Sequence, residues 1–380
     1  MFTFTEEQEM LRRAVREFVE AEVAPKAQEW DEQDHCPAEL FPLLGDMGIT
    51  GIFVPEAYGG VGLGYVERVI CLEELARHCA GLAITVMAHQ LCMGGVMNYG
   101  TEEQKQKYLP DLARGRKIGA LSLTEATGGS NFMGQTANGE WKDSQWVLNG
   151  RKCFITNAHL ADLDLWTVVT GKNAKGRPEL SAFLIDRGTP GHTPGRAEHK
   201  LGMRSSNTGD VSCVNVRVDA SQMLEQRGKG AKVALSTIQE VGRAGMSAIN
   251  LGILRGCLEE AVRFSNERII YGKPLHHMTN IQFALAENRL DYETARLLTY
   301  RAASMKDKGV PCSAEFAMAK YAATEGAIRA AKRTIDLMGG YGVINEYPVG
   351  RYLRDALAGS TAGGTSDVLK VVIAGETVKQ

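Results

Sequence analysis

The sequence predicts a mostly helical α+β protein with a β-domain in the middle of the chain. Three observations carry this prediction. Apolar residues recur at helical spacing through the first third, short β-branched and aromatic runs punctuated by Gly, Asn and Asp fill the middle, and long helical periods return near residue 229. We place an N-terminal helical domain at 1–118, an antiparallel β-domain at 119–226, and a four-helix-bundle-like domain at 227–380.

Composition excludes several classes of protein. The chain of 380 residues is 44% hydrophobic and 23% charged, which is ordinary for a globular protein. A net charge of −2 predicts neither nucleic acid nor a membrane as partner, and no apolar run reaches the ~18 residues of a membrane span. The eight cysteines form no C-x-x-C pair and follow no secretory signal. They predict a reduced, cytoplasmic chain with neither a disulfide framework nor a metal site.

The first third is predicted to consist of helices. Thr5–Gln8 has the pattern of a capping box, and Cys36–Glu39 places a proline where a second helix begins. Gly59–Gly64 lacks the glycine spacing of a dinucleotide fingerprint and is interpreted as a loop. Two apolar runs are predicted to be buried helices: Val69–Ala80 and Leu82–Tyr99.

The middle and the C-terminal part of the chain differ in the spacing of their apolar residues, which is typical of strands in the former and of helices in the latter. Asn149-Gly150 is a hairpin turn signal among short predicted strands. These strands are Trp146–Leu148, Leu165–Val169, Ser181–Ile185 and Val211–Val216. Three long amphipathic helices follow, and a bundle would bury their apolar faces. They are Ser236–Arg268, Thr279–Lys308 and Ser313–Met338.

Glycine-rich motifs supply the functional signal. Leu123–Ser130 reads L-T-E-A-T-G-G-S, and Phe154–Asn157 reads F-I-T-N. Gly339–Gly342 and Gly363–Ser366 flank a charged helical segment, and Glu267–Pro274 reads E-R-I-I-Y-G-K-P. In this order and spacing the motifs resemble the acyl-CoA dehydrogenase family of flavoproteins, from about Phe4 to Ala374. The resemblance implies that family's three-domain fold, an FAD cofactor, an acyl-CoA substrate, a homotetramer, and electron-transfer flavoprotein as electron acceptor.

The resemblance also implies the cofactor residues. For the flavin ring they are Leu123, Thr124, Gly129, Ser130, Phe154 and Thr156, with Phe154 in place of the family's tryptophan. Arg268 is implied to bind the FAD pyrophosphate, often across a subunit interface, because guanidinium matches phosphate geometry. Further cofactor positions are Tyr271, Gly339, Gly340, Thr365 and Asp367. Thr279 and Asp336 stand where the family usually has glutamines. The negative charge of Asp336 is unfavourable near a pyrophosphate, so the details of adenosine binding stay open.

Substrate contacts follow from the same resemblance. Glu240 and Arg243 align with residues that hold the pantetheine and nucleotide parts of CoA, and Ser130 is a further contact. The helix Thr85–Gly95 lines the acyl pocket in the family and contributes Met93.

The catalytic base is missing from both positions that serve the family. One aligns with Gly363 and the other with Gly242. Gly363 can still donate its backbone N–H to the thioester oxygen. We therefore expect very slow 1,2-dehydrogenation of straight-chain acyl-CoA and a non-standard reaction, for example on an alicyclic or already unsaturated acyl group.

Several explanations remain open. His89, or Cys92, is the titratable group of the predicted acyl pocket and could replace the base. A sulfinoacyl-CoA desulfinase is favoured by Ala362–Thr365, but Leu82–Thr85 supplies no cation for an acidic substrate. A flavin monooxygenase on the same fold, or a catalytically inactive binding protein, would not need the glutamate. An apolar pocket lined by residues such as Val86, Leu91 and Met93 would favour an uncharged acyl group.

Overall fold

The computed structural model describes residues 3–379. The first third is helical, and Thr5 caps the first helix through a capping box with Gln8, as predicted. The helices are α1 Glu6–Phe18, α2 Ala27–Glu32, α3 Phe41–Asp46, α4 Tyr65–Ala76, α5 Ala80–Tyr99 and α6 Glu102–Ala113. The predicted second helix begins as a 3₁₀ turn over Ala38–Leu40 and continues as α3.

Helix α5 lies in the centre of the molecule. It is long and apolar enough to span a membrane by length and composition, but 89% of its most apolar window is buried inside the fold. It packs against α4, α6 and the first strand of the sheet.

The middle of the chain forms one eight-stranded sheet. Its strands are β1 Gly119–Ser122, β2 Asn138–Lys142, β3 Gln145–Thr156, β4 Leu163–Lys172, β5 Pro178–Asp186, β6 His192–Ala197, β7 Thr208–Val218 and β8 Met223–Leu224. The order is β6-β7-β3-β2-β4-β5-β8, with β1 also beside β4. The prediction of a purely antiparallel sheet is wrong, because β1 and β2 both pair with β4 in parallel.

The predicted hairpin turn at Asn149-Gly150 is also wrong. Both residues lie inside β3, where the register with β7 shifts between Leu148 and Gly150. The turn between β2 and β3 is Asp143-Ser144, and both of its residues adopt positive φ. Gly150 instead allows a close approach, since a Cβ there would stand 2.4 Å from the Ala137 methyl carbon.

The C-terminal part returns to helices. They are α7 Gly230–Thr237, α8 Arg243–Glu267, α9 Thr279–Asp307, α10 Ser313–Met338, α11 Val349–Gly359 and α12 Ser366–Thr377. A two-stranded hairpin of β9 (Ile269–Ile270) and β10 (Lys273–Pro274) separates α8 from α9. The long helix predicted for 236–268 is interrupted by a π-helical turn, Ile238–Gly242, of the kind that often marks functional sites.

A polar joint connects the three parts of the chain. Arg354 on α11 pairs with Asp31 on α2 at 2.5 Å and donates to the carbonyl of Leu201 in the loop before β7. The next residue, Asp355, is buried and accepts the Met203 backbone N–H at 2.5 Å. This joint fixes the sheet between the two groups of helices.

Candidate active site

A buried ion pair anchors the loop after β1, which carries the L-T-E-A-T-G-G-S motif. Glu125 accepts the Lys152 ammonium at 2.8 Å and both the backbone N–H and the hydroxyl of Thr136 at 2.7 Å. Lys152 also donates to the carbonyl of Leu123 at 3.2 Å. These contacts hold Thr124, Gly129 and Ser130 at the surface of the sheet, and the latter two residues are exposed.

The second motif lies beside the first. The Cys153 N–H donates to the Thr124 carbonyl at 2.8 Å, so the two predicted flavin segments are joined through their backbones. Phe154 lies on a bulge of β3 with φ of 58° and is 67% exposed. Thr156 is half-buried opposite Thr208 of β7. A large ring held out from the sheet provides an apolar face that suits a flat ligand.

The predicted pyrophosphate residues meet in one cavity of about 470 Å³, formed by Arg268, Gly339, Gly340 and neighbouring apolar side chains. Arg268 is exposed, and among residues 3–379 it has no carboxylate in ion-pair contact. A Cβ at Gly339 or Gly340 would meet nothing within 4 Å. An unpaired guanidinium beside open backbone fits a phosphate group. No residue of the sheet lines this cavity in the described part of the chain.

Other predicted cofactor residues have local roles. Tyr271 is the exposed tip of the β9–β10 hairpin, with φ of 53°. Thr365 caps α12 by accepting the Val368 N–H, and Asp367 in the first turn of that helix pairs with Lys370. Asp336, the acid at which the predicted adenosine site departs from the family, forms an ion pair with Lys332 at 2.6 Å. This pairing offsets the negative charge of the Asp336 carboxylate.

The Gly363 turn is held by a buried cation. Gly363 and Gly364 have φ of 68° and 104°, conformations that favour glycine. The Lys320 ammonium on α10 donates to the carbonyls of Gly364 at 2.9 Å and Ser360 at 3.1 Å. Burial lowers the pKa of Lys320 to about 8. The Ser366 hydroxyl donates to Glu325 on the same helix, so α10 fixes the turn at both ends.

The two positions that lack a base face one another. A Cβ built on Gly363 would stand 3.1 Å from the Met246 Cγ and 3.7 Å from the Gly242 carbonyl oxygen. A Cβ on Gly242 would stand 3.4 Å from Leu91. Met246 and Leu91 therefore border the place where a carboxylate at either position would lie.

The predicted CoA residues lie in the π-helical turn, which contains Glu240, and directly after it, at Arg243. Glu240 pairs with Lys306 at 2.6 Å. Arg243 is buried, and within residues 3–379 the only described hydrogen bond of its guanidinium is the one it donates to the Ser313 hydroxyl at 3.4 Å. Burial lowers the pKa of Arg243. Met93 is fully buried within α5.

The prediction that His89 acts as the base is wrong. Its Nε2–H donates to the Leu112 carbonyl at 3.0 Å, and its Nδ1 accepts the Gly119 N–H at 3.0 Å. Both nitrogens are therefore occupied by backbone, and burial lowers the His89 pKa to about 4. Cys92 is equally unsuitable, because it is fully buried and burial raises the pKa of its thiol.

Comparison with known proteins decides the family. Sequence profiles described as the N-terminal, middle and C-terminal domains of acyl-CoA dehydrogenase match residues 5–116, 120–216 and 228–377. The chain belongs to the acyl-CoA dehydrogenase family.

Sequence relatives and solved structures match this chain over almost its whole length. A short-chain-specific acyl-CoA dehydrogenase of Clostridium acetobutylicum is 38% identical over 376 residues, covering 99% of each chain. The structure of butyryl-CoA dehydrogenase from Megasphaera elsdenii is 36% identical with a TM-score of 0.96 and full coverage of both chains. A glutaryl-CoA dehydrogenase from Mycobacterium smegmatis, in complex with FADH2, is 29% identical with a TM-score of 0.93, covering 99% of this chain and 96% of that one.

Membership confirms the predicted family, its fold, and the assignment as an acyl-CoA dehydrogenase-like oxidoreductase with FAD as cofactor. The residues present fit that cofactor. The exposed Phe154 face suits a flavin ring, and the unpaired Arg268 beside an open glycine turn suits a pyrophosphate.

Two buried lysines belong to the site although no sequence motif pointed to them. Lys152 and Lys320 are both fully buried and hold the two turns that build the site. A signal for Lys320 was available, since it falls on the apolar face of α10 one turn after Phe316. A lysine on a buried face requires a partner.

Proposed function

We propose that this chain is an FAD-dependent oxidoreductase acting on an acyl-CoA thioester by a reaction that uses no carboxylate at residue 363 or 242. The observation that carries the proposal is the meeting of Gly363 with Gly242 beside Met246, with no acidic side chain at either position. Neither His89 nor Cys92 is available as a replacement.

Each group of residues has a proposed role. FAD, when bound, accepts hydride from the substrate. Phe154, Thr124 and Thr156 bind and orient its ring. The Gly363 N–H donates to the thioester oxygen and makes the α-carbon acidic enough for its proton to pass to water, a task for which Lys320 holds the turn in place. This polarising contact needs no side chain, so it survives the loss of the glutamate.

The CoA part of the substrate is assigned to the π-helical turn and the loop after β1. Arg243 is a buried cation without a carboxylate partner in the described chain, which suits an anionic group of CoA. Glu240 and Ser130 complete the proposed contacts.

We also propose a homotetramer in the cytoplasm that passes electrons to electron-transfer flavoprotein. Two observations support assembly. Among the residues that the structure describes, none from the eight-stranded sheet that would hold the flavin ring lines the Arg268 cavity, so a second subunit would complete the site. Helix α9 also exposes Phe283, Leu290 and Leu297, spaced about two turns apart on one face. Eight free cysteines are consistent with a reducing compartment.

The test mixes the FAD-loaded protein anaerobically with a panel of CoA thioesters and records loss of flavin absorbance. We expect butyryl-CoA and octanoyl-CoA to bleach the flavin very slowly and another member of the panel to bleach it fast. Fast bleaching by both straight-chain thioesters would show that a base is present. A protein whose flavin spectrum responds to no CoA thioester would contradict the assignment of substrate.

A further inference from the structure

Arg68 is a buried cation that has no acidic partner among residues 3–379. It lies on α4, its exposed fraction is 0%, and it is among the largest fully buried side chains. Its Nε donates to the Gln90 side-chain oxygen at 2.7 Å. Its two terminal nitrogens, Nη1 and Nη2, have no hydrogen-bond partner in residues 3–379. Buried guanidinium groups are ordinarily paired with a carboxylate, so this site is incomplete.

Aromatic rings compensate only part of the charge. The Arg68 Cζ lies 5.7 Å from the ring centroids of both Phe53 and Tyr65. Such contacts stabilise the cation but accept no N–H bonds in the plane of the guanidinium. Burial still lowers the pKa of Arg68 to about 10. The plane that could hold a bidentate oxyanion is therefore unused.

The unpaired end faces the helix that carries the site. A Cβ on Gly245 of α8 would stand 2.9 Å from the Arg68 Nη2, so the missing side chain makes room for the guanidinium. Gly245 directly precedes Met246, which borders Gly363, and it lies one turn after Gly242. Met87 of α5 also borders Gly245, as Leu91 of the same helix borders Gly242. Arg68 thus extends the wall formed by α5 and α8 beside the two glycine positions.

The surroundings of this wall are short of negative charge. Arg243 and Lys320 are buried cations in the same region, while Glu240 is engaged by Lys306. Asp307 accepts the backbone N–H groups of Tyr65 and Val66 at the start of α4, at 2.6 Å and 3.0 Å. Glu325 faces Lys320 and accepts the Ser366 hydroxyl. No carboxylate stands at 363 or 242. The remaining positive charge favours a ligand that brings an anion of its own.

We propose that Arg68 binds the far end of the acyl chain, and that the substrate is an acyl-CoA whose acyl group ends in a carboxylate or a sulfinate. The inference rests on the proposed function and names the substrate class of that site. It replaces the expectation of an uncharged acyl group, which rested on the apolar residues Val86, Leu91 and Met93, and it supplies the cation that Leu82–Thr85 lacks. The cation comes from α4 instead of the start of α5.

Matched thioesters test the proposal. Butyryl-CoA, succinyl-CoA and 3-sulfinopropionyl-CoA differ at the chain end, and valeryl-CoA and glutaryl-CoA form a longer pair. Dissociation constants are measured from the perturbation of the flavin spectrum. We expect at least one acidic thioester to bind wild-type protein 10-fold or more tightly than its uncharged match. The two acidic probes of equal length distinguish a carboxylate from a sulfinate.

Variants assign the effect to Arg68. Arg68→Met is expected to weaken binding of the acidic thioester about 10- to 100-fold and to change binding of the uncharged thioester less than about 3-fold. Arg68→Lys should keep part of the preference for the acidic thioester. The thermal midpoint of Arg68→Met should not fall, because an unpaired buried charge is removed. Arg187→Met, at an exposed position in the turn directly after β5, is the control for charge removal. Arg68→Gln is the second neutral variant should Arg68→Met not fold.

The outcomes separate this inference from the proposed function. Wild-type protein that binds uncharged thioesters but prefers no acidic one overturns the role of Arg68 alone. A preference that survives in both neutral variants also overturns it. If no CoA thioester perturbs the flavin, the proposed function itself fails.

Discussion

The backbone conformation of Gly363 limits which side chains can be introduced at the proposed reaction centre. Its φ of 68° is unfavourable for a residue with a Cβ, at a cost of roughly 1–2 kcal/mol. That Cβ would also stand 3.1 Å from Met246. A glutamate added here alone would therefore be strained and partly blocked.

We expect Gly363→Glu to lower the thermal midpoint and to raise butyryl-CoA turnover modestly. The double variant Gly363→Glu/Met246→Ala should raise turnover further, within the ~10²–10⁴-fold range of a general base. Dye reduction measures turnover. Gly363→Gln/Met246→Ala is the control, since it carries the same strain without a base. An equal gain in that control would exclude proton abstraction as the cause.

His89 should affect stability and not chemistry. Its pKa is lowered from 6.5 to about 4, so the folded protein favours the neutral ring. The resulting stability is present above pH 6.5 and is lost as pH falls towards 4, by at most about 3 kcal/mol. Glutamine can donate to Leu112 and accept from Gly119 without taking a charge. We expect His89→Gln to flatten the loss of thermal midpoint between pH 6.5 and 4 and to leave turnover at neutral pH unchanged. A stable variant with about 10²-fold lower turnover would return His89 to the mechanism.

At the scale of the element, the loop after β1 depends on one ion pair. Removing Lys152 leaves the Glu125 carboxylate buried without its cation, which ordinarily destabilises a protein by about 3–5 kcal/mol. Lys152→Met should therefore lower both the free energy of unfolding and the FAD content of purified protein. Lys152→Met/Glu125→Gln should recover part of the stability, and Lys172→Met, which removes an exposed lysine of the same sheet, should change neither. Unaltered FAD content in a destabilised Lys152→Met would separate this loop from cofactor binding.

Local patterns predicted some elements well and others poorly. Helix α10 begins and ends where its apolar period does, at Ser313 and Met338. The hairpin turn between β2 and β3, Asp143-Ser144, contains no glycine, whereas the stronger turn signal, Asn149-Gly150, lies inside a strand. The pairing of β1 with β4 depends on contacts between distant parts of the chain, which strand propensity does not encode.

The same limit applies to the site. The flavin and pyrophosphate motifs are contiguous in sequence and could be recognised as patterns. The partners of His89 lie on α6 and β1, and Arg68 meets Gly245 across two helices. No local pattern reports such contacts, so the sequence alone does not show that both ring nitrogens of His89 bind backbone or that Arg68 faces α8.

At the scale of the whole molecule, the exposed apolar face of α9 is the surface that the proposed assembly would bury. Phe283, Leu290 and Leu297 are 65%, 68% and 50% exposed. We expect Leu290→Asp to lower the mass measured by light scattering and, with it, the FAD content. Val214→Asp, on the exposed side of β7, is the matched control. A Leu290→Asp protein with the wild-type mass would exclude this face from the assembly.

The joint formed by Arg354, Asp355, Asp31 and Met203 has a consequence for how the molecule comes apart. Separating the C-terminal helices from the loop before β7 exposes the buried Asp355, and separating the two groups of helices breaks the ion pair between Arg354 and Asp31. Melting of one part therefore withdraws support from the other two. Each protomer should give one heat-absorption peak in a calorimeter, where loosely linked domains would give several.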